Sequence, residues 1–301
     1  MFRIELNKSA DNIPLVIIAI VVTVFVLSLG DALIKLASGS FVIWQILVLR
    51  SLMLLPVLLL LIRVAGIKKL PSGIFWIALR SIMLIGMWVL YYLSLPNVTL
   101  SAAAAAYYTL PIFITLFSAL FSGERIGIAG WLAVAVGFAG VLLILRPSAE
   151  DFNLYTTLPL GSAMLYAGAM IITRQKCREQ HPLTLSLYLN LGFLIVGVAV
   201  SLILFLLPAD LRHGFLFSAW RPMGKAEWLS IGLLAIALLI GSVGAAIAYQ
   251  NGPSAMVGTF DFAYVGFAVI WGFVFFGEVP DSVSTLGMVM IIGAGILSLR
   301  Q

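Results

Sequence analysis

Apolar stretches long enough to cross a membrane recur along almost the whole chain, separated by connections that hold most of the charge. These breaks predict ten helical spans, near 14–37, 41–62, 74–94, 98–121 and 127–145, then 157–174, 182–207, 228–248, 254–276 and 282–299. A helix needs roughly 20 mainly apolar residues to cross a hydrocarbon layer about 30 Å thick, and every run is near that length. The first run follows Arg3 and Lys8 and continues past Leu29 to Ala37 without a clear small-residue cleavage site, so it reads as a span and not as a signal peptide. The longest connection runs from Pro208 to Glu227; Trp220 and Trp228 near its end are residue types that settle at a membrane interface.

Composition turns this pattern into a fold class. Of 301 residues, 62% are hydrophobic and 10% charged, against roughly 45–50% and 25% in a soluble domain. No soluble core of this length hides so much apolar surface, so the chain is read as an all-α integral membrane protein. The formal net charge of +5 would suggest nucleic acid in a soluble protein, but here the Lys and Arg residues cluster in the connections and set orientation instead. With the N-terminus cytoplasmic, ten of them (Arg3, Lys8, Arg63, Lys68, Lys69, Arg125, Arg174, Lys176, Arg178 and Arg300) fall inside. Four (Arg146, Arg212, Arg221 and Lys225) fall outside, and Lys35, Arg50 and Arg80 lie within spans. That asymmetry predicts a multi-pass protein of the cytoplasmic membrane with both termini inside.

The chain also repeats itself. Shifting residues 97–146 by 154 positions aligns them without a gap on 251–300: Asn97 meets Asn251, Gly123-Glu124 meets Gly277-Glu278, and Arg146 meets Arg300. Earlier in the halves a shift near 140 sets Arg50 on Asn190 and brings Lys35 close to Arg174. Two units follow, residues 1–146 and 147–301, each of five spans. Because five is odd, the second must enter the membrane in the opposite orientation, giving two inverted five-helix repeats, an architecture many secondary transporters use for alternating access.

The residues that carry this repeat also carry a resemblance. Pro111 mid-span, Gly123-Glu124-Arg125 after it, and a glycine-rich fifth span with Gly137 and Gly140 resemble the EamA-type domain of the drug/metabolite transporter superfamily. Gly277-Glu278 and the Gly293/Gly295 pair close the second copy, and Lys35 and Arg50 in the first two spans are similar to the family's usual pattern. The resemblance implies a cavity lined by spans 1, 3, 4, 6, 8 and 9. It also implies transport of amino acids, amines or other small solutes, or of nucleotide-like metabolites and vitamins such as S-adenosylmethionine or riboflavin. One departure stands out: Val265 occupies the place of Pro111 in the second copy, so the ninth span is expected to be straighter than the fourth.

Charges inside a span cost roughly 3 kcal/mol or more at mid-membrane, which makes each a functional candidate. Asp31 and Lys35 share a helix face four residues apart. Arg50 lies at the depth of Asp31 on the next span, so the two are read either as a structural pair or as substrate contacts. Arg80 and Asp261 are each roughly 10 Å from the inner ends of their spans, where they are expected to meet as a static pair or an inner gate, or to leave Asp261 as an acceptor for a coupling proton or cation. Tyr107 and Tyr108 lie near mid-membrane, where a phenol needs a partner or a wet cavity; Trp88, Tyr92, Phe260 and Tyr264 join them as candidate cavity residues, with an interfacial or lipid-facing role as the alternative. Runs of small residues, such as Ser101 to Ala106, read as helix-packing faces.

Other functions lack their residues. A membrane enzyme needs a nucleophile with a base, or metal ligands, whereas Cys177, His181 and His213 all lie in connections and no paired His-Glu motif is present. No cofactor, metal site or nucleic-acid partner is expected; the partners are a small solute and lipid. A channel or scaffold would not require inverted repeats, and no filter-like loop or ring of charge is visible.

Overall fold

The computed structural model describes residues 12–36, 42–67, 71–94, 106–146, 155, 157–208, 217–277, 279 and 281–300. Among them the secondary structure is helical: α1 (Ile13–Leu36), α2 (Ile43–Val64), α3 (Ile74–Ser94), α4 (Leu110–Phe117), α5 (Ile128–Leu145), α6 (Thr157–Gln175), α7 (Pro182–Leu206), α8 (Lys225–Asn251), α9a (Ser254–Asp261), α9b (Ala263–Phe276) and α10 (Ser282–Ser298). Seven segments are long and apolar enough to cross a membrane by length and composition, α9a and α9b counting as one, and two shorter apolar helices, Leu110–Ser122 and Ser282–Ser298, accompany them. Leu60, Phe75, Ile82, Leu120, Ile195, Phe205, Leu229 and Ile292 all point outward and are exposed. Each such side chain costs roughly 1.5–3 kcal/mol when left in water, so a belt of them is covered by lipid.

Helix ends follow local chemistry. Asn12 accepts a hydrogen bond from Leu15 N–H to start α1. His181 accepts from Leu183 N–H with Pro182 in the first turn of α7, and Asp281 accepts from Ser284 N–H to start α10. Past α4 a π-helical turn, Ser118–Ser122, stops at Gly123 with φ 64°; α9b stops at Gly277 with φ 67°. Both are left-handed caps that glycine adopts without steric cost, and they are the two glycines the repeat superimposes.

The helices pack in pairs, α1 along α8, α3 along α6, α2 along α7, α4 on α9a and α5 on α10. Small residues set the spacing. Gly241 and Gly244 on α8 receive Leu27 and Thr23 of α1, Gly168 on α6 receives Met83 of α3, and Gly197 on α7 receives Val48 of α2. Backbone meets backbone between α5 and α10: a β-carbon added to Gly140 would lie 2.7 Å from Gly287 O, and one added to Gly287 would lie 2.6 Å from Gly140 O. Buried hydroxyls are satisfied between helices, as in Ser186 with Ser242 at 2.7 Å and Ser162 donating to Met87 O at 2.8 Å.

Connections expected on one side of the membrane gather at one end of the bundle. Asn12 N–H donates to Asn251 O, Gln175 Nε2 to Phe121 O, Arg178 Nε to Gln250 O, and Gln180 Nε2 to Ser72 O. At the opposite end Gln45 Nε2 donates to Arg221 O, and Arg146 donates to both carboxylate oxygens of Asp281. That guanidinium holds the exposed Asp281 well below the ordinary carboxylate range.

The ninth span departs from expectation. It is not straighter than the fourth; it is broken between α9a and α9b, where Phe262 N–H turns to Thr259 O and Val265 N–H to Phe262 O at 3.1 Å. The approach to α4 tightens at the matching place, with Thr109 N–H on Ala106 O and Ile112 N–H on Thr109 O. Bonds to the third residue back are the tighter winding of a 3₁₀ turn. Such a turn does not require proline, since the ninth span makes it without one. Residues 98–105, at the start of the expected fourth span, lie outside the described residues.

Candidate functional site

Two polar clusters occupy the interior of the bundle. In the first, Tyr264 at the start of α9b donates a short hydrogen bond to Asp31 of α1. Asp31 remains accessible. One turn earlier on α1, Ser28 accepts from Trp271 Nε1 at 3.0 Å, and Phe25 meets the rings of Phe267 and Trp271 at 5.2 and 5.0 Å. These contacts seat α1 against α9b and aim Asp31 at Tyr264.

Arg50, on α2, lies close enough to act electrostatically on Asp31. Its guanidinium sits over Phe193 of α7 at 5.1 Å and Trp88 of α3 at 5.9 Å. A cation over aromatic faces gains roughly 0.5–2 kcal/mol, more when water is excluded, and both rings fix where the charge points. Asp31 thus accepts from a phenol while Arg50 acts on the same carboxylate electrostatically. On the same helix pair Ser51 donates to Asn190, the residue the repeat sets on Arg50.

A row of tyrosines continues from this cluster. Tyr264 lies 5.4 Å from Tyr108, Tyr108 5.6 Å from Tyr107, and Tyr107 5.3 Å from Tyr91, between ring centroids. Tyr107 also donates weakly to Met87 Sδ at 3.9 Å.

The second cluster lies deeper. Asp261, 5% exposed at the end of α9a, accepts a 2.6 Å hydrogen bond from Tyr249 of α8. Tyr166 of α6 hydrogen-bonds Tyr249 and feels both Asp261 and Arg80. Arg80, 1% exposed on α3, donates from Nε to Thr173 of α6 at 2.7 Å.

These placements sort the expected residues. The structure brings Asp31, Arg50, Trp88, Tyr107, Tyr108 and Tyr264 into one connected region. The expected meeting of Arg80 with Asp261 is corrected: Arg80 faces α6 and Asp261 faces α8, with Tyr166 between them. Phe260 also falls elsewhere, packed over Gly295 of α10. The side chains of Lys35 and Tyr92 lie outside the described residues. Tyr249, Tyr166 and Phe193 were not singled out from sequence; Tyr249 sits at a span end, where an interfacial ring is the ordinary explanation.

Polar contacts tie one end of this interior together. Glu124 accepts from Ser254 N–H at the start of α9a and stands 3.9 Å from Arg174 of α6. Arg174 and Arg178 both donate to Gln250 O, while Gln250 Nε2 donates to Cys177 O at 2.6 Å and Gln180 O at 2.8 Å. Cys177 is buried in this network, and burial pushes its thiol up from the ordinary range.

Known proteins share this organisation. The model of the EamA-like transporter family matches residues 14–146. The pseudopaline exporter CntI of Pseudomonas aeruginosa is 30% identical over 277 residues, covering 90% of this chain and 91% of that protein. The chain therefore belongs to the EamA-like transporter family. A riboflavin transporter of Vibrio cholerae is 29% identical over 207 residues, 68% of this chain and 63% of its own. A crystal structure of a protein 18% identical shares the fold, with a TM-score of 0.76 over 93% of this chain and 98% of the other. Apolar helices, family and relatives agree on a multi-pass membrane protein of a class that transports small molecules.

Proposed function

We propose that this protein is a secondary transporter that moves a small charged metabolite, an amino acid, amine or similar solute, across the cytoplasmic membrane by alternating access. The observation that carries the reading is the first cluster. Asp31 and Arg50 put opposite charges beside Tyr264, Trp88 and Phe193 inside an apolar bundle. A zwitterion needs such a set, since its ammonium and carboxylate lose their hydration inside the bundle and must find opposite charge and aromatic faces. The residues come from α1, α2 and α3 of the first five spans and from α7 and α9b of the second.

Supporting the inverted repeats, residues 1–146 and 147–301, is the order of helix pairing. Exchanging each span for the one five positions away turns α1 with α8 into α6 with α3, and leaves the pairs of α2 with α7, α4 with α9a and α5 with α10 unchanged. Halves related in this way can trade conformations, which is how one closed end gives way to the other. The Glu124, Arg174 and Gln250 network is the closed end in this state. The tyrosine row favours a second reading, a solute with a flat ring in the class of riboflavin.

A screen of amino acids, amines and flavins by thermal stabilisation of the purified protein tests substrate class. A ligand that binds only the folded state adds about 2.7 kcal/mol at a hundredfold excess over its Kd, and a hit is expected among zwitterions; stabilisation by flavins alone would favour the second reading. Orientation needs its own probe, because buried Cys177 reports poorly. In a Cys177→Ser background, Glu179→Cys places a thiol on the exposed α6–α7 connection. We expect an impermeant thiol reagent to label it only after cells are permeabilised; labelling of intact cells would reverse the topology.

A further inference from the structure

We infer that Asp261 is the site at which the protein binds and releases a coupling proton, separate from the solute site at Asp31. The inference rests on the transporter reading and adds the driving ion to it. Two observations carry it. First, Asp261 is buried and, among the described residues, no Lys, Arg or His lies within ion-pair distance of it; its hydrogen-bond partner is the hydroxyl of Tyr249. An ionised carboxylate in that position keeps most of the cost of leaving water, whereas the neutral acid does not. Second, a buried cation nearby in the same cluster is left incomplete: Arg80 Nη1 is buried with no hydrogen-bond partner among the described residues, and Tyr166 feels both Arg80 and Asp261. Carboxylate and guanidinium thus do not pair directly, and Tyr166, which hydrogen-bonds Tyr249, is the group that feels both.

The surroundings of Asp261 are phenols on every side that offers a titratable group. Tyr249 comes from α8, Tyr166 from α6, and Tyr107 and Tyr108 from the approach to α4. From α1, Asp31 reaches the same tyrosines from the far side. Neither α5 nor α10, which also pack on α9a, carries a titratable residue along its length. Hydroxyls that donate to a carboxylate and relay a proton suit this task. A metal cation would need several oxygen donors in one shell, and no cluster of acidic, His or Cys residues able to hold one is present among the described residues.

In one facing state Asp261 takes a single proton from the water it meets and becomes the neutral acid; in the other it gives that proton up to water on the opposite side and returns to the carboxylate. Tyr107 touches both clusters, through Tyr108 and Tyr264 to Asp31 and by its proximity to Asp261. Occupancy of the solute site is thereby felt at the proton site.

Infrared difference spectroscopy of the reconstituted protein between alkaline and acidic buffer tests this without any solute, so its failure is distinct from failure of the transport reading. The expected result is the carbonyl stretch of a protonated carboxylic acid that appears on acidification, is lost in Asp261→Asn and persists in Asp31→Asn. In Tyr249→Phe the band should remain but shift, because the phenol no longer donates to the acid. That variant carries the test should Asp261→Asn fail to fold. A wild-type band that is absent, does not change with pH, survives Asp261→Asn, or answers to added sodium instead of protons would overturn the proposal.

Discussion

Asp31→Asn is expected to lower transport of a solute found by thermal stabilisation by roughly 10- to 100-fold, with little change in melting temperature or membrane insertion. A hydrogen bond to a charged group contributes about 1.5–3 kcal/mol, and each 1.4 kcal/mol is about a factor of ten. The substitution nearly preserves shape, so Tyr264 keeps an acceptor and α1 keeps its seat on α9b through Ser28 and Trp271. What disappears is the charge facing the solute. Tyr264→Phe is expected to cost less, since Asp31 then keeps its charge and its electrostatic contact with Arg50. Arg50→Gln separates the two roles left open by sequence. If Asp31 and Arg50 act as a structural pair, the double change should destabilise the protein by less than the two single changes added together; additive costs with loss of ligand binding place both on the solute.

The largest expected effect on stability is at Gly140. Its α-carbon stands against the backbone of Gly287, so even the methyl of Gly140→Ala would meet a carbonyl oxygen that has no rotamer by which to move. Overpacking of that kind costs roughly 1–3 kcal/mol, and Gly140→Leu must separate α5 from α10. Thermal melts followed by size-exclusion chromatography should show a lowered midpoint for alanine and little monodisperse protein for leucine. A leucine variant with a wild-type melt would mean that the two helices do not cross at these glycines. Because α10 also covers Phe260 through Gly295, loosening this pair should carry into α9a.

The spans were legible because each is dictated by a one-dimensional quantity, the length of apolar chain a membrane demands. For that reason α3 begins and ends where the pattern places it and most others agree within three residues. The repeated Gly123 and Gly277 were legible too, since only backbone geometry asks for glycine at a left-handed cap. Rotation of a helix about its axis is not written in depth. Counting residues sets Arg80 and Asp261 at one level, yet they hydrogen-bond different helices, and the hydrogen bond from Tyr264 to Asp31 could not be read from depth at all. Nor does the absence of proline guarantee a continuous helix. At the break Phe262 packs against Gly137 of α5, and one turn earlier Gly258 admits Ile114 of α4, contacts between helices that no local pattern announces.

A small solute that crosses this bundle is expected to pass Asp31. The most direct measurement is solute counterflow in proteoliposomes, with an unlabelled hit from the stabilisation screen inside and a labelled trace of it outside. The wild-type protein should accumulate label rapidly and transiently, and Asp31→Asn should lose this almost completely at equal insertion. Equal counterflow in the two would contradict it, by showing that the solute takes a path that does not pass this carboxylate.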